Sequence, residues 1–231
     1  MTAILSNLQA VHAAIRAAAL MAQRDPATIT LLAVSKTVPA MVVREAYGHG
    51  QQAFGENFVQ EALDKMYELS DLPLEWHFIG PIQSNKTRPI AENFSWVHSV
   101  DRFKIAQRLS EQRPDHLPPL NICLQINISG EATKGGVTPA EAGALATSIA
   151  TLPRLRLRGL MAIPAPAEEL SAQRKPFAQM HNLFTRLNSA GLSLDTLSMG
   201  MSHDLTAAIL EGATIVRVGT AIFGGRNYAR H

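Results

Sequence analysis

Cysteine is almost absent from this sequence: Cys123 is the single one among 231 residues. One thiol can form neither an internal disulfide framework nor a thiolate zinc site. An excess of one charge is also lacking, since 21 Lys and Arg residues face 19 Asp and Glu residues, for a net charge of +2. Without a basic cluster, so small an excess gives no footprint for nucleic-acid binding.

Long apolar runs are lacking as well. No run approaches the roughly 18 residues that a membrane span needs. The Ala-rich start is interrupted by His12 and Arg16, unlike the continuous apolar core of a signal peptide. Apolar residues make up 46% and charged residues 17% of the chain, so a sizeable core can be buried. We expect a compact cytoplasmic protein that binds neither nucleic acid nor membrane. A monomer is favoured over a dimer, although the sequence leaves the dimer open.

Short apolar runs alternate with helical patterns along the whole chain. After an amphipathic first helix, strands are predicted over 29–35, 53–55, 75–79, 96–100, 121–128, 155–163, 196–199 and 215–222. Helices that follow all but the last strand are predicted over 39–47, 58–69, 84–91, 101–112 (with Asp101 as N-cap), 139–150, 170–189 and 203–211. Eight βα units in this length favour an α/β fold, a single (β/α)8 barrel domain over residues 1–231. An open doubly wound sheet would need a Gly-rich fingerprint after the first strand, where the chain has SKTV instead.

The carboxyl ends of parallel barrel strands are where chemistry gathers. Lys36 ends the first strand, and it is the only one of six lysines to end a buried apolar run. A desolvated amine is more readily neutral and can attack a carbonyl to form a Schiff base. The alternative is a strand-end lysine that extends to solvent, which is the commoner situation.

Two further segments end the last two strands. Ser198 to Ser202 (SMGMS) precedes a short helix, where free N–H groups and Ser202 favour an anion site; the alternative is that Ser202 only caps the helix. Arg217 to Thr220 (RVGT) lies on the last strand. Phosphate sites of barrels recur between strands seven and eight, so the two segments support each other.

His77 and His98 lie inside apolar strand patterns without ligand spacing. This favours buried, hydrogen-bonded histidines over a metal site. Cys123 within ICLQI is interpreted as core packing.

Together these features resemble the pyridoxal phosphate (PLP) homeostasis proteins, which look like the barrel domain of alanine racemase without its second domain. The matching segments cover nearly the whole chain in one order: AVSKTVPA around Lys36, FGENFVQEALDK from Phe54, EWHFIGPIQSNK from Glu75, HSVDR from His98, QINISGEATKGG from Gln125, RGLMAIP from Arg158, LSMGMSHDL from Leu197 and VRVGTAIFG from Val216. His203 is a small departure, where an acidic or small residue is expected.

The resemblance implies a role for each matching residue. Lys36 carries PLP as a Schiff base and Arg217 faces the pyridine nitrogen. The residues that line the cofactor are Asn57, His77 and Met161, and those that hold its phosphate are Ser198, Ser202, Gly219 and Thr220. No catalytic residue and no metal are expected.

Arginine can only donate, so the pyridine nitrogen stays unprotonated and the ring is a poor electron sink. The racemase also uses a tyrosine from its second domain as a second base, and none of Tyr47, Tyr67 and Tyr228 is predicted at a strand end. We therefore expect a non-catalytic protein of intracellular PLP homeostasis, with apo forms of PLP-dependent enzymes as candidate partners. The alternatives are a PLP-dependent amino-acid racemase or lyase and, with no support from composition, a nucleic-acid or protein adaptor.

Overall fold

Eight strands and nine α-helices alternate in the structure, a computed structural model that describes residues 2–131 and 134–225. The strands are β1 (Thr30–Val34), β2 (Ala53–Glu56), β3 (Glu75–Phe78), β4 (Trp96–Val100), β5 (Leu120–Gln125), β6 (Leu155–Met161), β7 (Thr196–Ser198) and β8 (Ile215–Val218). The helices are α1 (Ala3–Met21), α2 (Ala40–Gly48), α3 (Val59–Glu68), α4 (Thr87–Asn93), α5 (Phe103–Gln112), α6 (Ala142–Ala150), α7 (Leu170–Ser189), α8 (Leu205–Leu210) and α9 (Thr220–Phe223). Short 3-10 turns occupy Pro26–Thr28 and Ser84–Lys86.

The strands form one closed, parallel barrel in sequence order. Closure is made by β8 beside β1, where Leu32 lies opposite Arg217 and Ala33 opposite Val218. The (β/α)8 barrel predicted from the alternation is therefore confirmed. All eight carboxyl ends meet at one edge of the barrel, called here the upper edge.

The side chains of each strand divide between two apolar clusters. The larger cluster lies between the strands and the helices and includes Val216 and Val218 of β8. A smaller cluster alternates with it along the strands and must point into the barrel lumen, because successive strand residues face opposite sides. Its members are Leu32, Ala53, Trp96, Cys123, Met161 and Ile215. The interpretation of Cys123 as core packing is thus confirmed, and burial raises the pKa of its thiol to about 12.

Several elements have other boundaries than predicted. Helix α6 begins at Ala142 and not at 139, and β5 ends at Gln125 and not at 128. The helix expected over 84–91 begins as a 3-10 turn and continues as α4. The expected N-cap at Asp101 was wrong: α5 starts one residue later, after an extended Arg102, and the Asp101 carboxylate pairs with the Arg102 guanidinium at 2.6 Å. The last strand was expected to run to 222, which was wrong: β8 ends at Val218 and a short α9 follows it.

Helix α1 is long and apolar enough to cross a membrane by length and composition alone. Its predicted apolar face of Ile4, Leu8, Val11 and Ile15 is instead buried within the larger cluster. The Asn7 side-chain amide also donates to the Ile222 carbonyl oxygen at 2.8 Å, which fixes α1 against α9. The helix is accordingly an outer layer of the barrel.

Strands β6 and β7 are paired at Gly159, which lies opposite Thr196. A Cβ atom added there would overlap the backbone carbonyl of Thr196 on the neighbouring strand. We expect Gly159→Ala to lower the free energy of unfolding by about 3 kcal/mol, the upper part of the overpacking range, since backbone has to move. Chemical denaturation measures this. Gly143→Ala on α6 is the control: its Cβ meets only Leu187 at 3.7 Å, and we expect a gain of about 0.5 kcal/mol. Equal stability of the two variants would contradict the close approach.

Candidate functional site

Lys36 lies in the turn that follows β1 at the upper edge. Its side chain is half-buried, so it is less enclosed than the apolar run before it suggested. It lines a pocket of about 150 Å³ together with Gly219 and Thr220, which follow β8. Closure of the barrel thus brings together two segments that the sequence analysis had selected separately.

The turn carrying Lys36 rests on a buried ionic cluster between β2 and α3. Lys65 is 5% exposed, and its Nζ donates to the Ser35 carbonyl oxygen at 2.6 Å. The same Nζ contacts Oε1 of Glu56 at 2.7 Å and Oε1 of Glu61 at 2.8 Å. Lys65 therefore holds the backbone immediately before Lys36.

The two carboxylates of this cluster hold the turn from other directions. Oε1 of Glu56 accepts from the Ser35 hydroxyl at 2.6 Å, and Oε1 of Glu61 accepts from the Thr37 backbone N–H at 2.5 Å. Thr37 has φ of 64°, a left-handed conformation that a β-branched residue adopts only when its surroundings impose it. Burial raises the pKa of Glu56, and the ammonium of Lys65 opposes that shift.

The sequence analysis missed this cluster. The signal available was Glu61 and Lys65 one helical turn apart on α3, a spacing usual for exposed ion pairs. Nothing in the spacing indicated that Glu56, at the end of β2, lies beneath them.

Arg217 occupies the lumen below the upper edge and is 4% exposed. Its Nη1 donates to Ser198 Oγ at 2.7 Å and its Nη2 to the Ala162 carbonyl oxygen at 2.8 Å. Burial lowers the pKa of Arg217 to about 10, so it is still a cation at neutral pH. In the part of the chain that the structure describes, no carboxylate forms an ion pair with it.

Ser202 lies in an exposed turn between β7 and α8. Helix α8 begins at Leu205 and has Asp204 as its N-cap residue, so Ser202 does not cap it. Ser202 lines a second pocket of about 270 Å³, whose wall includes Val218 and Ala221 on either side of Gly219 and Thr220. The two predicted anion-binding segments follow the paired strands β7 and β8, but Ser202 and Thr220 line different pockets.

The turn after β7 depends on Gly200, whose φ is 94°. A Cβ atom there would lie 2.5 Å from that of Ala208. Its carbonyl oxygen accepts from the Arg217 backbone N–H at 2.9 Å. Gly200 therefore ties the Ser202 segment to β8.

The three residues expected to line a cofactor differ in their position in the barrel and in their hydrogen-bond partners. Met161 ends β6 and belongs to the lumen cluster. Asn57 follows β2, and its Oδ1 is buried without a hydrogen-bond partner in the described residues. His77 is 1% exposed, and its two ring nitrogens contact Glu75 and His98. The hydrogen-bonded interpretation of His77 and His98 is confirmed, and residues 2–131 and 134–225 hold no group of side chains arranged for a metal.

The fold and a sequence profile agree on the class of barrel to which this chain belongs. The profile of the family described as alanine racemase, N-terminal domain, matches residues 6–227. Alanine racemase of Corynebacterium glutamicum is 19% identical with a TM-score of 0.70 over 99% of this chain and 62% of its own, which shows the fold alone.

Other relatives match over their whole length. The chain is 65% identical over 228 residues to the pyridoxal phosphate homeostasis protein of Pseudomonas aeruginosa, covering 99% of this chain and 98% of the relative. It is 54% identical over 233 residues to that of Escherichia coli K12, with both chains fully covered. PipY of Synechococcus elongatus, solved with PLP bound, is 39% identical with a TM-score of 0.82, over 96% of this chain and 100% of its own. The chain belongs to the pyridoxal phosphate homeostasis protein family, as its motifs predicted.

The ionic cluster under the Lys36 turn gives a prediction for Lys65→Met. Removing the ammonium leaves the Glu56 carboxylate buried without its cation, and we expect a loss of about 3–5 kcal/mol at pH 8. The pKa of Glu56, already raised by burial, should rise further. The folded state then binds more protons than the unfolded state, so the loss should shrink as pH falls from 8 to 5.5.

Urea denaturation at the two pH values measures this loss. Lys104→Met, at an exposed position of α5, is the matched control and should change stability little at either pH. A Lys65→Met defect that is as small as that of Lys104→Met would show that Lys65 does not hold the turn.

Proposed function

We propose that this protein binds PLP through a Schiff base on Lys36 and serves intracellular PLP homeostasis without catalytic turnover. The observation that carries the proposal is the pocket lined by Lys36, Gly219 and Thr220, with Arg217 two residues before Gly219 on β8. The names of the full-length relatives support it. So does the structure of PipY with PLP bound. The proposal includes a single barrel domain over residues 1–231 and a cytoplasmic location.

The residues at the upper edge fit the three functional groups of PLP. When bound, PLP supplies an aldehyde, and attack by Lys36 Nζ forms a C=N bond and releases water. Ser202, Gly219 and Thr220 offer hydroxyl and backbone N–H donors for the phosphate. Arg217 offers a donor for the pyridine nitrogen.

Four assignments remain predictions beside these. Asn57 has a buried oxygen with no partner in the described chain, which suits contact with a bound molecule. Met161 lies in the lumen cluster and His77 within the hydrogen-bonded lumen. Ser198, expected at the phosphate, has its hydroxyl engaged by Arg217 and His98 at 2.7 Å each.

Arg217 is the reason to expect little chemistry at the ring. Its pKa of about 10 keeps it protonated at neutral pH, so it can donate but not accept. A pyridine nitrogen that accepts from it stays unprotonated, and electron withdrawal from the substrate carbon is weak.

The second base of a racemase is also not found among the described tyrosines. Tyr47 and Tyr67 lie in the last turns of α2 and α3. Helices of a βα barrel return the chain toward the amino ends of the strands, so both residues lie away from the upper edge. Tyr228 falls outside the described residues. A role in storing PLP or passing it to apo enzymes suits such a site better than turnover.

Covalent labelling tests the assignment of Lys36. Borohydride reduction of the PLP-loaded protein, followed by peptide mass analysis, should place the pyridoxyl group on Lys36. Lys36→Ala should remove the visible absorption band of the bound cofactor and leave the unfolding transition unchanged, because the side chain is half-buried and lies outside the core. Lys104→Ala is the control and should keep the band. An adduct on Lys134 or another lysine would overturn the assignment.

Proton exchange at the α-carbon of amino acids tests the absence of turnover. Wild type incubated with a panel of amino acids in D2O should show no exchange above free PLP. Arg217→Glu supplies an acceptor to the ring nitrogen and should raise exchange at least about tenfold, while Arg217→Lys, which keeps a donor, should not. Efficient exchange by wild type would favour a racemase or lyase instead. If the Arg217→Glu protein folds and binds PLP but shows no increase in α-proton exchange, the missing second base, and not the unprotonated ring, is what prevents exchange.

A further inference from the structure

A chain of hydrogen bonds crosses the barrel lumen to Arg217 from the lower edge, where the amino ends of the strands lie. It begins at Glu75, the first residue of β3, whose side chain is 50% exposed. Oε1 of Glu75 lies 2.8 Å from His77 Nε2, and His77 Nδ1 lies 2.9 Å from His98 Nε2. His98 Nδ1 lies 2.7 Å from Ser198 Oγ, which accepts from Arg217 Nη1 at 2.7 Å. We call these four residues, Glu75, His77, His98 and Ser198, the lumen relay.

The protonation of the relay follows from its two ends and from burial. Burial lowers the pKa of His77. Burial also lowers the pKa of His98 well below its usual value, and the positive charge of Arg217 adds to that shift. Both imidazoles are therefore neutral at pH 7.5, with one N–H each. The hydrogen bond from His77 lowers the pKa of Glu75, so its carboxylate is ionised and can only accept.

Those conditions leave one direction for every bond. His77 must donate through Nε2 to Glu75, so its Nδ1 accepts from His98 Nε2. His98 Nδ1 then accepts the hydroxyl proton of Ser198. The oxygen of that hydroxyl keeps its lone pairs for Arg217, which can only donate. All the bonds run the same way, from the cation in the lumen to the carboxylate at the lower edge.

The surroundings of the relay keep this arrangement in place. The ring of Trp96 stacks on that of His77 at a centroid distance of 5.4 Å, and the Arg158 guanidinium lies 4.7 Å from the Trp96 ring centroid. Arg158 is paired with Asp195 at 2.8 Å, so its charge is already balanced there. Asp204 attracts Arg217 electrostatically from the turn before α8. Glu75 is the carboxylate that reaches Arg217 through hydrogen bonds, by way of the relay.

We propose that Glu75 is a positioning residue for Arg217, acting across the whole lumen through the fixed tautomers of His77 and His98. The carboxylate orders the two imidazoles, they orient the Ser198 hydroxyl, and that hydroxyl holds one Nη of Arg217. The other Nη is held by the Ala162 carbonyl, so the guanidinium has a single orientation. Its consequence for ligand binding rests on the proposed function, whereas the tautomers do not.

Nitrogen NMR of the histidine rings in the ligand-free protein tests the relay directly. In wild type at pH 7.5, His77 and His98 should both show a protonated Nε2 and an unprotonated Nδ1. Glu75→Gln removes the charge and adds an amide donor, which permits the reversed direction. The nitrogen shifts of His98, two hydrogen bonds away, should therefore move toward a mixture of tautomers.

The matched control is Glu92→Gln. Glu92 lines the same pocket at the lower edge as Glu75 but pairs with Arg88 and stands outside the relay. It should leave both rings unchanged. A protonated Nδ1 on His98, or a doubly protonated ring at either position in wild type, would overturn the proposal. So would a His98 signal that does not respond to Glu75→Gln.

Titration with PLP, followed by absorbance, tests the consequence for the ligand. Glu75→Gln should weaken PLP retention about tenfold, the size of coupling expected within one network, with Glu92→Gln unchanged. Unaltered PLP retention alongside altered tautomers would overturn the positioning role. Failure of wild type itself to bind PLP would instead overturn the proposed function and leave the tautomer result to decide the relay.

Discussion

The charge of Arg217 is buried inside a closed barrel, and the polar residues of the lumen are arranged around that charge. Moving an ion out of water costs several kcal/mol even after the protein relaxes, and the cost is offset only by hydrogen bonds of good geometry. Most of the lumen is apolar, with Leu32, Cys123, Met161 and Ile215 facing inward. Ser198 and the Ala162 carbonyl meet the guanidinium directly. The remaining polar residues of β3 and β4 continue the line of hydrogen bonds to solvent.

A second buried ionic group lies on the other side of the same strand layer. Lys65, Glu56 and Glu61 are packed between β2 and α3 and hold the turn after β1. The lumen group fixes β8, and this cluster fixes the turn beside it. Each of the two walls of the pocket that contains Lys36 is therefore held by a buried charged group: Arg217 for β8, and Lys65 with its carboxylates for the turn after β1. Such supports fix side chains more closely than apolar packing, because a displaced partner leaves a charge uncompensated.

Periodicity predicted the eight strands and the barrel because both depend on local pattern and on the rule that parallel strands need crossovers. It placed Lys36, Gly219 and Thr220 at the upper edge for the same reason. Periodicity did not reveal that Lys65 is a buried lysine. The burial of a helix residue depends on which element packs against it, and here that element is the end of β2. The Asp101 cap was wrong because one residue of offset removes the side chain from the helix end. The tautomer order of His77 and His98 needed both ends of the relay, and these lie on β3 and β7, far apart in the sequence.

The pocket that contains Lys36 forms only when the barrel closes. Lys36 follows the first strand and Gly219 the last, and they become neighbours only when β1 pairs with β8. During synthesis the pocket around Lys36 is therefore incomplete until the last strand has left the ribosome, and pairing between segments so distant in the sequence is slow. Any fragment that ends before β8 lacks Gly219 and Thr220 and exposes two unpaired strand edges at its open sheet. A complete pocket therefore requires that all eight strands have been made and that the barrel has closed.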